Sequence, residues 1–285
     1  MTHENDSSDA IVVLDKLTKM YGNFTAVDAI DLRVPSGQVF GVLGPNGAGK
    51  TTTLRMITGL LQPSSGTISI DGHSMAGDPV TAKSITGFIP DRPYVYDKLT
   101  AFEYLRFVGG LYKLNHARMA KRIRELLDLF ELAEWADSLI ESFSHGMKQR
   151  LVFAGALLPE PKVLVVDEPM VGLDPKGHRL IKTLFRTLTE RDGMTILLST
   201  HTLEVAEEIC DQIAIINHGR IIARGTLAEL RVDSGESEGS LESVFLRLTE
   251  ESQTERADAV ADRFGRSGPR DFDGDDDRRN KGDAA

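Results

Sequence analysis

The stretch Gly44-Pro45-Asn46-Gly47-Ala48-Gly49-Lys50-Thr51-Thr52 narrows the possible folds more than any other part of the chain. It fits the pattern G-x-x-x-x-G-K-[ST], and its surroundings fit as well. Gln38-Val39-Phe40-Gly41-Val42-Leu43 is a short apolar run suited to a buried strand, and Leu54, Ile57 and Leu61 recur at helical spacing. Strand, glycine loop and helix is the context in which the pattern carries meaning. The glycines let the backbone curl so that successive N–H groups face phosphate oxygens. The helix adds the positive end of its dipole, Lys50 a point charge and Thr51 a hydroxyl for Mg²⁺. The loop reads as the seat of a nucleoside triphosphate.

With 285 residues, there is room for one large α/β domain or two modest ones, and 41% hydrophobic residues suffice for a real core. A net charge of −10 offers no general basic footprint for nucleic acid. Cys210 is the single cysteine, so no internal disulfide forms. It shares an apolar helical stripe with Val205, Ala206 and Ile209 and reads as a small buried hydrophobe. Residues 1–10 are polar and acidic and read as a flexible tail. No run of about eighteen apolar residues occurs, so work at a membrane would need a partner.

Residues 11–43 read as β-rich: Ile11 to Leu14, Ala26-Val27 and Ile30 to Val34 are short runs broken by Tyr21-Gly22-Asn23 and Pro35-Ser36-Gly37. Such runs suit a small antiparallel sheet beside the nucleotide. Tyr21 is either a plain surface aromatic or a ring stacked on adenine. After the loop helix, Thr67 to Ile70 and Ile85 to Ile89 suit strands, and Pro90-Asp91-Arg92-Pro93 stops any regular element. Thr100 to Glu103 is a capping box, and Met119, Ile123, Leu126, Leu127 and Phe130 repeat at helical steps. A helical subdomain is therefore expected over about residues 92–158. Thr226 to Glu229 is a second capping box, and Leu241, Val244, Phe245 and Leu248 form a last apolar stripe. Residues 251–285, rich in aspartate, arginine and glycine, are expected to be disordered.

Two further strand ends carry chemistry. Val163 to Val166 are apolar on both faces, as in a buried parallel strand, and end in Asp167-Glu168-Pro169. Ligands of α/β sheets bind at such ends. Asp167 can hold Mg²⁺ alongside Thr51, and Glu168, turned toward the γ-phosphate, can polarise an attacking water. Met194 to Ser199 is another buried strand and delivers Thr200-His201, where the imidazole can reach the γ-phosphate or that water. Asp174-Pro175 supplies an N-cap and first-turn proline for the helix carrying Leu180, Ile181, Leu184 and Leu188.

Together these pieces resemble the nucleotide-binding subunit of ATP-binding cassette (ABC) transporters, over residues 11–250. Beside the P-loop, the segment from Ser144 to Arg150 looks like the family signature, Gly172-Leu173-Asp174 like its D-loop and Ser199-Thr200-His201 like its H-switch. The resemblance implies an α/β fold: a P-loop NTPase core with a mainly parallel sheet, an N-terminal antiparallel β subdomain and an inserted helical subdomain. It implies a Mg²⁺-dependent ATPase with Lys50, Glu168 and His201 catalytic, Thr51 and Asp167 on the metal, and Gly44 to Thr52 on the phosphates. Tyr21 then stacks on adenine, and Val27 is counted among the nucleotide contacts. In the family two cassettes meet head to tail, so Ser144 and Gly146 would face the ATP of a second ATPase subunit, identical or related. A transmembrane permease subunit would be the other partner, at the cytoplasmic face of the membrane.

Two departures stand out. His145 occupies a position where the family more often has glycine, and Met147 one where it has glutamine. Asp91 stands at the Q-loop glutamine position and is carried as a third candidate metal contact. Both resemble export-type subunits. Residues 91–108, with Tyr94, Tyr96 and Phe102, are either the permease-docking surface or ordinary helical core. A soluble ABC-type ATPase acting on DNA or ribosomes is the alternative, but the chain lacks the long coiled-coil insertion, paired cassettes or basic extension of those proteins. A small-molecule kinase would explain the P-loop but not the signature, the D-loop or His201.

Overall fold

The computed structural model of the chain describes residues 10–233, Gly235 and 241–247. In chain order the strands are β1 Ala10–Tyr21, β2 Phe24–Pro35, β3 Val39–Leu43, β4 Ser65–Ile70, β5 His73–Ser74, β6 Thr86–Ile89, β7 Val163–Asp167, β8 Thr195–Thr200, β9 Gln212–Asn217 and β10 Arg220–Gly225. The helices are α1 Lys50–Ile57, α2 Pro79–Ser84, α3 Ala101–Leu111, α4 His116–Leu129, α5 His145–Leu157, α6 Pro175–Asp192, α7 Leu203–Ile209, α8 Leu227–Asp233 and α9, residues 241–247.

Two sheets organise them. One has four strands in the order β2-β1-β4-β5 with antiparallel pairing; the other has six in the order β10-β9-β3-β8-β7-β6. In the larger sheet β9, β3, β8, β7 and β6 run parallel, and β10 is added antiparallel at the edge. Both faces of this sheet are covered, which is why β7 is apolar at every position before Asp167. Leu164 and Val166 pack with α3 to α6, while Val163 and Val165 pack toward α1 and the smaller sheet. The helical stripe of α4 points the same way: Met119, Ile123, Leu126 and Leu127 are buried in the α3–α6 side of the core. Both capping boxes form, at Thr100 and at Thr226.

The N-terminal strands differ from expectation. The separate short runs are two long strands, joined by a turn at Gly22-Asn23 with Tyr21 paired to Phe24. Bulges absorb the polar interruptions. Lys16 and Ala29 both have φ of 47, and their N–H groups are met by Asp31 Oδ1 at 2.8 Å and Thr18 Oγ1 at 3.0 Å. Side chains thus replace the lost ladder bonds, and the strand continues. Ala10 already belongs to β1, one residue earlier than the expected tail boundary. Residues 1–9, Leu248 and the expected disordered segment 251–285 lie outside the described residues.

Candidate functional site

β3 feeds directly into the glycine loop, and α1 starts at Lys50. Gly49 has φ of 107, and a Cβ there would lie 2.6 Å from the Ala26 carbonyl. Only glycine allows the loop to sit this close to β2 with that backbone. Lys50 is 6% exposed and donates from Nζ to the carbonyls of Gly44, at 2.7 Å, and Pro45, at 3.2 Å. Burial pulls its pKa below the ordinary lysine value, opposed by the charges of Glu168 and Asp167. The ammonium is therefore already anchored across the loop, beneath the place where phosphate oxygens would arrive.

Asp167, at the end of β7, is 1% exposed. Its Oδ1 accepts from Thr51 Oγ1 at 3.2 Å and from the Ser199 hydroxyl. Its Oδ2 is buried with no hydrogen-bond partner. A buried carboxylate oxygen with nothing to bind is costly. One carboxylate oxygen beside one hydroxyl is also the hard-oxygen chemistry that Mg²⁺ takes, with water and phosphate completing its shell. The residues present therefore fit that ion. Asp91 lines the same cleft as Thr51 and Glu168.

Glu168 follows with φ of 54, a left-handed conformation uncommon for a residue with a side chain. Its N–H donates to the Ser199 carbonyl at 3.1 Å. Its Oε1 lies 2.8 Å from His201 Nδ1. With the carboxylate ionised, Nδ1 carries the shared proton and Nε2 is left as the ring's second polar atom.

Lys50, Thr51, Glu168 and His201 line one cleft of about 430 Å³, and Asp167 lies behind Thr51, outside its lining. The cleft brings together Tyr21, Asn46, Gly47, Gly49, Lys50, Thr51, Thr52, Asp91, Glu168 and His201, from both sheets and the loop between them. Gly44 and Ala48 are buried beneath the loop, and Gly44 and Pro45 meet Lys50. Val27 is a correction: it is fully buried in the core between the sheets and does not line the cleft. Phe24 and Ala26, not singled out in the sequence, do line it. The Gly22-Asn23 turn pairs Phe24 with Tyr21, so two aromatic rings flank the same entrance.

Ser144 and Gly146 lie outside this cleft. Ser144 caps α5, its Oγ accepting from the Met147 N–H at 3.3 Å. The His145 ring packs against Gly172, where a Cβ would come within 2.3 Å of His145 Cδ2, and Gly172 has φ of 79. The loop from Glu168 to Asp174 is braced further by His178, whose Nε2–H donates to the Met170 carbonyl at 3.0 Å. Asp174 caps α6 by accepting from the Gly177 N–H at 2.8 Å. Signature turn and D-loop are in direct contact within one chain.

Residues 27–171 match the ABC transporter family. The chain belongs to its ATP-binding subunits. It is 40% identical over 243 residues to the daunorubicin/doxorubicin resistance ATP-binding protein DrrA of Streptomyces peucetius, covering 85% of this chain and 71% of that one. It is 41% identical over 225 residues to the Nod factor export ATP-binding protein I of Cupriavidus metallidurans, covering 79% and 74% respectively. Among solved structures it resembles a dimeric ATP-binding cassette in a post-hydrolysis state, bound to ADP and Pi, with a TM-score of 0.70 and 28% identity over 76% of this chain and 98% of that one. The ABC subunit thus binds ATP and hydrolyses it, and the hydrolysis is coupled to transport. The α/β fold inferred from the motifs, with its antiparallel sheet, mostly parallel core and helical insert, is the fold observed. No helix among the described residues is long and apolar enough to cross a membrane.

Proposed function

We propose that the chain is one of two cassettes that close head to tail around ATP and Mg²⁺ and so drive export through a separate transmembrane permease at the cytoplasmic face. The observation that carries this reading is the division of the motifs. The cleft gathers the loop, Glu168 and His201 in one chain, with Asp167 bonded to Thr51 behind it, while Ser144 and Gly146 stand elsewhere, exposed or half-exposed. A second copy or a related subunit would supply them to this cleft, with the first N–H groups of α5 turned to the γ-phosphate. The dimeric relative supports that arrangement, and the relative that exports Nod factor supports the direction.

In this reading the loop N–H groups and Lys50 bind the phosphates. Thr51 and Asp167 Oδ2 would hold Mg²⁺, which neutralises charge on the β- and γ-phosphates. Glu168 accepts the proton of the attacking water while His201 holds its carboxylate through Nδ1–H; with the ring doubly protonated, Nε2–H donates to the γ-phosphate. Tyr21 and Phe24 take the adenine face. Tyr94 and Tyr96 are 70% and 58% exposed, and Phe107 and Leu111 lie exposed on α3, so these four are the apolar surface for the permease. Phe102 is packed against the core and is left out of it.

Glu168→Gln tests the reading. The variant should keep ATP affinity, lose turnover by about 10²- to 10⁴-fold, and run as an ATP-dependent dimer in size-exclusion chromatography. Turnover near that of the unaltered protein would remove Glu168 as the base, and a persistent monomer would remove the closed dimer.

A further inference from the structure

We infer that Ser199 is the positioning residue that aims both carboxylates, leaving Asp167 one free oxygen for the cation and holding Glu168 in its left-handed turn. The inference rests on the assignment of Asp167 to Mg²⁺ and Glu168 to the water.

The parallel register of β7 and β8 sets Asp167 directly beside Ser199. Ser199 is fully buried, so its hydroxyl has no water to turn to. It has one proton, and the ionised Asp167 can only accept, so the proton goes to Oδ1. The same oxygen of Asp167 also takes the Thr51 hydroxyl at 3.2 Å. Two hydroxyls on one oxygen fix the plane of the carboxylate. The remaining oxygen, Oδ2, is then the buried atom with no partner. Removing the serine hydroxyl would leave Thr51 as the sole restraint, and Thr51 is the side chain that must also meet the cation.

The serine oxygen keeps its lone pairs. One accepts the Glu168 N–H at 3.3 Å, an N–H already shared with the Ser199 carbonyl at 3.1 Å. Glu168 sits at φ of 54, a conformation that persists only when its surroundings hold it. That turn is what brings Oε1 to His201 Nδ1, 2.8 Å away. A single hydroxyl thus ties the metal-facing group to the backbone of the base. Outer-shell partners of metal ligands commonly control affinity by about 10- to 100-fold.

The test measures ATP affinity by calorimetry with Mg²⁺ and again in EDTA, on the full chain, alongside steady-state turnover. In Ser199→Ala the gain in ATP affinity that Mg²⁺ provides should shrink by about tenfold, with the EDTA affinity unchanged and the Mg²⁺ concentration for half-maximal turnover raised. Ser199→Thr, which keeps the hydroxyl, should return both within about twofold. Should Ser199→Ala yield no folded protein, Ser199→Cys, similar in shape but a weak donor, carries the same test. A Ser199→Ala variant with unaltered Mg²⁺ dependence would overturn the inference, as would equal losses with and without Mg²⁺, the mark of a merely structural role. Asp167→Asn separates the two levels. If it abolishes the Mg²⁺ effect while Ser199→Ala does not, only the role of Ser199 falls. If Asp167→Asn leaves the Mg²⁺ effect intact, the metal assignment falls and the role of Ser199 with it.

Discussion

Around the glycine loop the polar groups are bonded to one another, with Lys50, Asp167 and Ser199 buried: Lys50 to the loop carbonyls, Asp167 to Thr51 and Ser199, Glu168 to His201. Around the signature, Ser144 and His145 are exposed, and the main restraints are one cap bond and the packing of His145 on Gly172. The first region is set for an anion before one arrives, so little reorganisation is left for the moment of reaction. The second leaves Ser144 and His145 exposed, and in the proposed dimer it would be completed only by a docking subunit. In the proposed dimer, one chain finishes the binding half of the machine and displays the other half outward.

Lys50→Ala strikes the prepared half hardest among the single changes that follow. It removes the one lysine buried in the loop, and ATP affinity measured by calorimetry should fall by about 10- to 100-fold, as expected for losing charge-assisted hydrogen bonds. Unchanged affinity would mean that the backbone alone holds the phosphates and that the contrast between the halves is overstated. Gly172→Ala probes the join between them. Its positive φ strains any side chain, by about 1–3 kcal/mol, and its Cβ would collide with His145. ATP binding to the monomer should stay within about twofold while turnover drops several-fold; adding His145→Gly should recover part of it, because the collision goes and the strain stays. A double variant no better than the single one would show that the His145 contact is incidental.

Ser144→Ala is the mildest. Loss of the cap of α5 costs about 1 kcal/mol, a fall in Tm of about 2–4 °C for a domain of this size. Nucleotide binding to the monomer should be untouched, and ATP-dependent dimerisation weakened. An effect on monomer binding instead would place Ser144 in the wrong half.

Much of the site was legible because its parts are local. The glycine loop, the two adjacent carboxylates and the caps at Thr100, Asp174 and Thr226 are each written in a few consecutive residues, where hydrogen-bonding range and helix geometry apply directly. The apolar runs also announced buried parallel strands, since Val163 to Val166 have no polar face to offer solvent. Other assignments required partners distant in the chain. Val27 looked like a nucleotide contact and is core, because bulges at Lys16 and Ala29 shift which side chains of the first hairpin face inward. Phe24 went unremarked until the hairpin register set it opposite Tyr21.

The sequence by itself pointed to a triphosphate site of loop, lysine and hydroxyl, and determined that Asp167, Glu168 and His201 stand at strand ends of an α/β sheet. These follow from spacing along one chain segment at a time. Only the tertiary structure decided that Ser199 stands beside Asp167, that Oδ2 is the oxygen left without a partner, and that His145 rests on Gly172. Pairing between strands and packing between loops depend on registers summed over the whole sheet, and no short window of residues contains that sum.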